Sequence, residues 1–126
     1  MQSLVIVKPD GVRRGLVGEI IMNLYATGHF LAHGKMIVLP EELAENLYRE
    51  HEGKEFFKRI TGFLSDQEPS MVMIWKGNPV DIRSHVLAIR AKYRNFASAL
   101  HENVVHASDS EESAAREVDL FLHVIC

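Results

Sequence analysis

This sequence has only one cysteine, and it lacks long apolar runs and a large excess of charge of either sign. Its single cysteine, Cys126, excludes an internal disulfide and a metal cage built from several thiolates. No apolar run approaches the length of a membrane span and no charged-then-apolar leader opens the chain, so we expect a soluble, cytoplasmic protein. The formal net charge of −3 creates no general attraction to nucleic acid or to an anionic membrane, and neither is an expected partner.

The composition that remains is that of one folded domain. A chain of 126 residues with 47% hydrophobic and 25% charged residues can bury a core without disulfides. No internal repeat, low-complexity tract or linker divides it. We therefore expect a single domain over residues 1–126.

Short apolar runs alternate with helical patterns along the chain. Apolar runs predict strands at Leu4–Val7, Phe30–Leu39, Met71–Trp75 and Asn103–His106. Apolar residues at helical spacing predict helices over 16–25, 41–50 and 56–63, and helices that begin near Asn78 and after Ser110. This order predicts an α/β fold of the ferredoxin-like βαββαβ type, in which helices cover a four-stranded antiparallel sheet.

Two polar side chains stand at the ends of predicted strands. Lys8 follows the first strand, before a turn expected at Pro9 and Gly11, and such strand ends often contact ligands. His106 ends the fourth strand shortly before Ser110, a good helix cap, and helix N-termini attract anions. A histidine beside an anion site can act as a nucleophile toward phosphorus, although a lone histidine more often has a structural role.

Arg83 and Arg90 are seven residues apart on a predicted helix. Seven residues make about two helical turns, so both side chains lie near one face. Charges in this arrangement usually form a solvated surface, and a paired anion site is the alternative.

Two long segments resemble the nucleoside diphosphate kinase family. Residues 4–19, LVIVKPDGVRRGLVGE, resemble the N-terminus of those enzymes. Residues 103–121, NVVHASDSEESAAREVDLF, resemble their active-site segment, whose pattern is NxxHGSDSxESAxxE. Shorter pieces between them, such as IRAKY at 89–93, fall in the family's order, so the resemblance covers nearly the whole chain.

The resemblance implies a ping-pong kinase that works through a phosphohistidine. His106 would take the γ-phosphoryl group of a nucleoside triphosphate such as ATP or GTP and pass it to a nucleoside diphosphate. Lys8 would bind the transferring phosphate, Glu117 would orient the ring of His106, and Ser108 would assist the leaving oxygen. Such a reaction needs positioning and cations on the phosphoryl oxygens, which agrees with these residue types.

The resemblance also implies a nucleotide site. It would consist of Arg83 and Arg90 on the phosphates, Asn103 on the ribose hydroxyl, Phe56 and Leu100 on the faces of the base, and Ile60 beside them. Stacking on the faces would accept every base. Mg²⁺ would bridge the nucleotide phosphates with few direct protein ligands, and we expect no metal site built from protein side chains alone.

The chain departs from the family pattern in four places. Only six residues separate Arg83 from Arg90, so a long loop of the relatives, with its phosphate-contacting threonine, is missing. Because that loop supports trimer contacts and a C-terminal extension is also missing, we expect a homodimer in preference to a hexamer. Glu52 aligns with a tyrosine that lies near the histidine; we expect Glu52 to lie in solvent, since a closer carboxylate would raise the histidine pKa. Ala107 replaces a glycine.

Two other functions remain open at this point. The chain could be a nucleotide-binding paralogue without activity that acts as an interaction module, or a relay that passes phosphate from histidine to another protein. The family residues Lys8, Asn103, His106, Ser108 and Glu117 are all present, which favours an active kinase.

Overall fold

The computed structural model describes residues 1–55, 57–65, 68–93 and 104–126. Its strands are β1 (Gln2–Val7), β2 (Phe30–Ile37), β3 (Ser70–Lys76) and β4 (Val105–Ala107). Its helices are α1 (Pro9–Arg13), α2 (Leu16–Ala26), α3 (Glu41–Leu47), α4 (Phe57–Ser65), α5 (Pro79–Lys92) and α6 (Glu111–Ile125), and a short 3-10 turn spans Arg49–His51. Within these ranges, no helix is long and apolar enough to cross a membrane.

The four strands form one antiparallel sheet in the order β2-β3-β1-β4. β1 is central, with β3 on one side and the short β4 on the other. This strand order, with helical connections between the strands, is the ferredoxin-like arrangement, so the predicted fold class is confirmed.

Side chains of β1 alternate between two hydrophobic cores. Leu4 and Ile6 pack with α3, α4 and α6 on one face, whereas Val5 and Val7 pack with α2 and α5 on the other. Successive residues of a strand point to opposite faces, so a strand that is covered on both faces needs a continuous apolar run. The buried strand predicted at Leu4–Val7 is therefore confirmed.

The segment after β1 differs from the prediction. A simple turn is predicted at Pro9 and Gly11, and the structure has the short helix α1 there. Proline suits the first helical positions because their N–H groups have no partner within the helix. The chain turns later, at Gly15, whose φ of 75° is readily adopted by glycine.

β2 is an edge strand that pairs with β3 alone. Most of its residues are exposed or half-buried, unlike those of β1 and β3. Phe30 is 64% exposed and Met36 is 44% exposed. The open side of this strand therefore presents apolar side chains beside backbone groups that have no second strand partner in the described part of the chain.

Candidate active site

His106 lies on β4, directly opposite Ile6 of β1. Directly opposite residues share a face of the sheet, so His106 points to the layer of α3, α4 and α6, while its neighbours Val105 and Ala107 point to the other core. The histidine side chain is 17% exposed. The strand thus holds the imidazole at the border between a packed core and an open cavity.

Glu117 of α6 fixes one nitrogen of this ring. Its Oε1 lies 2.8 Å from Nε2 of His106, and its side chain is almost completely buried. A carboxylate oxygen accepts the hydrogen of the nitrogen that it contacts, which assigns the proton to Nε2 and the lone pair to Nδ1. The nitrogen that is left for chemistry is therefore Nδ1.

Ser108 supports Glu117 from inside the protein. Its hydroxyl donates to Oε1 of Glu117 at 2.8 Å and accepts from the backbone N–H of Leu4 at 3.2 Å. The residue is fully buried and does not line the cavity beside His106. The role predicted for Ser108, assistance to the leaving oxygen, stays a prediction; in this structure its hydroxyl is bonded to Glu117 and Leu4.

Tyr48, directly after α3, lies against the other side of the ring. Its hydroxyl oxygen is 3.5 Å from Nδ1 of His106, and the two rings meet edge to face with centroids 5.7 Å apart. Burial raises the pKa of the Tyr48 hydroxyl far above its usual value, so the hydroxyl keeps its proton. Tyr48 is absent from the site predicted from the sequence, which assigns it to the core.

Glu52 lies in solvent, away from His106. Its side chain is 63% exposed and forms an ion pair with Arg49 at 3.6 Å. The expectation that Glu52 lies in solvent is confirmed, and the tyrosine that lies beside His106 is Tyr48. The helical pattern of Leu43, Leu47 and Tyr48 predicts that Tyr48 points inward, but not that it reaches the histidine.

Lys8 brings a cation to the buried end of β1. It is 2% exposed, and its Nζ lies 5.9 Å from the centroid of the Tyr48 ring. Burial lowers the pKa of Lys8 to about 7, and Arg90 also lowers it, while the carboxylate of Asp10 opposes the change. A bound anion would favour the charged form of such a lysine.

A strained residue connects Lys8 with the histidine strand. Val104 has a φ of 64°, which is rare for a β-branched residue. Its carbonyl accepts from the backbone N–H of Lys8 at 2.8 Å, and its N–H donates to Oδ2 of Asp10 at 3.1 Å. These two bonds hold Val104 in place and fix β4 relative to the end of β1.

A cavity of about 210 Å³ is lined by His106. Because Glu117 holds Nε2, we infer that Nδ1 is the ring nitrogen available to this cavity. The cavity brings together the predicted residues Lys8, Ile60, Arg83, Arg90, His106 and Glu117. It adds Tyr48, Glu50, His51 and Asp109, which are absent from the predicted site. The other predicted residues, Phe56, Leu100 and Asn103, lie outside the part of the chain that the structure describes.

α5 supplies both arginines of the cavity wall. The side chain of Asn78 caps the start of this helix by accepting from the N–H groups of Val80 and Asp81 at 2.9 and 3.1 Å. Arg83 and Arg90 then follow two turns apart on the same face. With Lys8 they give the cavity three basic side chains around the histidine, an arrangement suited to a polyphosphate.

Asp109 is a carboxylate at the rim of this basic cavity. A hydrogen bond from Ser113 holds the pKa of Asp109 below its usual range, and the charges of Arg83 and His106 lower it further. A larger cavity of about 630 Å³ lies between α6 and the start of β1. Among the described residues, no lysine, arginine or histidine lines that larger cavity, so the smaller one is the candidate for phosphate chemistry.

Comparison with known proteins gives the same family from sequence and from structure. The family model described as nucleoside diphosphate kinase matches residues 1–84. The nucleoside diphosphate kinase of Listeria welshimeri is 40% identical over 132 residues, which cover 95% of this chain and 87% of that protein. That of Carboxydothermus hydrogenoformans is 39% identical over 132 residues, with 95% and 86% covered.

Two solved structures share the fold. A halophilic nucleoside diphosphate kinase from Halobacterium salinarum, in complex with CDP, has a TM-score of 0.79 at 33% identity and covers 96% of this chain and 86% of that one. The enzyme from Aquifex aeolicus has a TM-score of 0.79 at 28% identity, with 95% and 93% covered. A match that covers 95% of the 126 residues leaves out only a few of them. It therefore includes position 106 even if all the residues left out lie at the C-terminus.

The alignment with the Listeria welshimeri enzyme also bears on the missing loop. It spans 132 positions, more than the 126 residues of the whole chain. The relative therefore has residues without a counterpart here, as the short connection between Arg83 and Arg90 predicts.

Proposed function

We propose that this chain, which belongs to the nucleoside diphosphate kinase family, transfers the γ-phosphoryl group of a nucleoside triphosphate to a nucleoside diphosphate through a phosphohistidine at His106. Membership of the family makes the chain a nucleotide-binding phosphotransferase. The observation that carries the proposal is the position of the His106 ring, whose Nε2 is held by Glu117, which leaves Nδ1 available to a basic cavity.

The reaction proceeds in two steps that reverse each other. The lone pair of Nδ1 attacks the γ-phosphorus, and the bond from that phosphorus to the β–γ bridging oxygen breaks, which releases a nucleoside diphosphate. A second nucleoside diphosphate then enters the same cavity, its terminal phosphate oxygen attacks the phosphohistidine, and the P–N bond breaks. One nucleotide site therefore serves donor and acceptor in turn.

The three cations of the cavity stabilise the charge that spreads over the phosphoryl oxygens. Lys8, nearest to the histidine strand, contacts the transferring phosphate, and Arg83 and Arg90 hold the remaining phosphates. Since Arg90 helps to lower the pKa of Lys8, an incoming polyphosphate relieves repulsion between the two. Tyr48 packs against the ring and keeps Nδ1 directed at the phosphorus.

The base and the ribose bind outside this phosphate site. Ile60 is the predicted base-side residue on the cavity wall, and Phe56, Leu100 and Asn103 complete the proposal from the family pattern. Contact with the faces of the base, without reading of its edges, lets one site accept ATP, GTP and other nucleotides. CDP is the nucleotide bound by the Halobacterium salinarum relative.

Mg²⁺ fits this site as a companion of the nucleotide. In the described ranges, no group of three or more His, Cys, Asp or Glu side chains can hold a metal ion. Asp109, whose pKa is lowered, is the ionised carboxylate at the rim that would hold the ion or its water shell. When bound, Mg²⁺ neutralises charge on the phosphate oxygens.

The functional unit that we propose is a homodimer formed through β2. An edge strand can pair with the same strand of a second copy, since its open side has no strand partner among the described residues. Exposed apolar side chains surround this edge, namely Met22, Tyr25, Phe30, Met36 and Val38. Pairing of two copies would bury them together.

Transfer of label tests the proposed mechanism. Protein is incubated with Mg²⁺ and ATP labelled at the γ-phosphate, and then with unlabelled GDP. We expect label on the protein that is lost in acid, stable in base and discharged by GDP as labelled GTP. His106→Ala should abolish all label, while His123→Ala, at an exposed histidine of α6, should leave it unchanged.

Other results would point to other functions. Wild-type protein that binds ATP without taking label would favour the nucleotide-binding paralogue. Label that GDP cannot discharge, but that a second protein accepts, would favour the relay. Label that remains in His106→Ala would show that the nucleophile is a different residue.

A further inference from the structure

Arg116 is a residue of α6 that does not line the cavity, yet it contacts Glu117 and the two residues directly before Tyr48. Its Nη1 donates to the carbonyl oxygen of Asn46 at 3.1 Å, and its Nη2 donates to that of Leu47 at 3.2 Å. The same Nη2 lies 3.7 Å from Oε2 of Glu117. One guanidinium therefore joins the end of α3 to the carboxylate that holds His106.

The two carbonyls belong to the last turn of α3, directly before Tyr48. Carbonyls at a helix C-terminus lack donors from their own helix, and a cation there also interacts favourably with the helix dipole. The planar fork of arginine donates to the two carbonyls from two nitrogens held in one plane, whereas a lysine ammonium offers a single nitrogen without that fixed geometry. Arg116 thus fixes the position from which Tyr48 leaves the helix.

The ring of His106 is held from two sides by residues that Arg116 connects. Glu117 holds Nε2 through Oε1, and Arg116 contacts the other carboxylate oxygen, Oε2. Tyr48 meets the Nδ1 side of the ring. The tyrosine and the carboxylate come from elements that are distant in sequence, so their relative position depends on a contact between α3 and α6.

We propose that Arg116 is a positioning residue for phosphoryl transfer: its guanidinium fixes Tyr48 and Glu117 relative to each other and so keeps Nδ1 of His106 aimed into the cavity. This inference rests on the proposed function. Its consequence is specific, because Arg116 does not line the cavity and a nucleotide there does not touch it. Loss of Arg116 should slow the attack on phosphorus without weakening the binding of nucleotide.

The test compares three variants with the wild type. Arg116→Met keeps most of the aliphatic stem and removes every donor. Arg116→Lys keeps the charge but loses the planar fork of donors. Arg49→Met is the matched control, since Arg49 lies just after the same helix and contacts the Asn46 side chain and Glu52, but neither carbonyl nor Glu117.

The first measurement is single-turnover labelling of His106 over a range of ATP concentrations. We expect Arg116→Met to lower the maximum rate on the order of tenfold, with an unchanged half-saturating ATP concentration. Arg116→Lys should fall between Arg116→Met and the wild type, and Arg49→Met should match the wild type. A loss of folding stability alone would not lower the maximum labelling rate while leaving the half-saturating ATP concentration unchanged.

The second measurement is the ¹⁵N spectrum of the His106 imidazole, which reports the tautomer without any turnover. The wild type should carry its proton on Nε2, and Arg116→Met should show a mixture of both tautomers. Wild-type rates and a wild-type tautomer in Arg116→Met, or a wild-type rate in Arg116→Lys, would overturn the inference. A wild-type protein that takes no label would overturn the proposed function instead, and the ¹⁵N spectra would still decide the role of Arg116.

Discussion

At the scale of single residues, Lys8 combines a structural cost with a proposed function. A lysine that is 2% exposed loses the hydration of its ammonium, and Asp10 offsets this loss in part. With a pKa near 7, the side chain is charged in about half of the free molecules at neutral pH. A phosphate bound beside Lys8, as proposed, would favour the charged form of its ammonium.

This cost predicts how stability depends on pH. The unfolded chain keeps Lys8 protonated up to its ordinary value of 10.5, whereas the folded chain releases the proton from about pH 7. Since the unfolded state then binds more protons, the Lys8 contribution to the free energy of unfolding rises with pH between 7 and 10.5. Below pH 7 both states are protonated and the full cost of burying the charge remains.

Lys8→Met removes this titration. We expect the free energy of unfolding of the wild type to rise relative to that of Lys8→Met as pH increases from 7 to 9.5, when both are measured by urea denaturation without nucleotide. Lys35→Met, at an exposed lysine of β2, is the control and should run parallel to the wild type. A constant difference between the wild type and Lys8→Met would contradict the lowered pKa of Lys8.

At the scale of secondary-structure elements, the site depends on the contact between α1 and the residue before β4. Gly11 of α1 lies so close to Val104 that an added Cβ would be 2.4 Å from the Val104 carbonyl oxygen and 2.9 Å from Cγ1 of Val7. The backbone oxygen is already bonded to Lys8 and has little freedom to move. A side chain at position 11 must therefore displace the strand that carries His106.

Gly11→Ala should destabilise the protein by about 1–3 kcal/mol, the usual cost of overpacking, and should also slow labelling of His106. Gly18→Ala is the control, because Gly18 lies within α2 with nothing within 4 Å of an added Cβ. That variant should gain about 0.5–1 kcal/mol from the better helix propensity of alanine. Thermal and urea unfolding measure the stability of both variants. Equal effects of Gly11→Ala and Gly18→Ala would show that the close contact at Gly11 is not the cause of the destabilisation.

The elements also differ in how well the sequence predicts them. β1, β3 and the apolar stripe of α5 follow from periodicity, because burial on one or two faces leaves a local pattern. α1 does not, since Pro9 and Gly11 are typical turn residues and only the surrounding packing favours a short helix. Ser108 is likewise only partly predictable. Its motif can be recognised in the sequence, but the direction of its hydroxyl depends on contacts with Leu4 and Glu117 in the folded protein.

At the scale of the whole molecule, the exposed edge at β2 predicts the oligomeric state. Phe30 and Met36 are accessible on a strand with one free side, where a second copy can add its own β2. The short connection between Arg83 and Arg90 lacks the loop that the family pattern associates with trimer contacts. The exposed edge favours pairing of two copies, and the missing loop argues against association of such pairs into six.

Light scattering after size exclusion tests this prediction. We expect the wild type to have twice the 14.3-kDa mass of one chain, and Phe30→Lys to have the mass of a monomer, because it places a charge in the contact. Val80→Lys is the control, since Val80 is also exposed, at 59%, but lies on α5. A hexamer of the wild type would contradict the dimer, and a dimer of Phe30→Lys would exclude β2 as its interface.

The sequence by itself predicted the order of the four strands and the longer helices, the two-sided burial of β1, and Lys8, His106 and Glu117 as candidate site residues, because local patterns and motifs record them directly. The tertiary structure decided which nitrogen of His106 is available to the cavity, that Tyr48 and not Glu52 lies beside the ring, and that burial lowers the pKa of Lys8 to about 7. Each of these depends on groups far apart in the chain, such as the 58 positions between Tyr48 and His106. Hydrogen bonds and desolvation arise between such groups only after packing has brought them together.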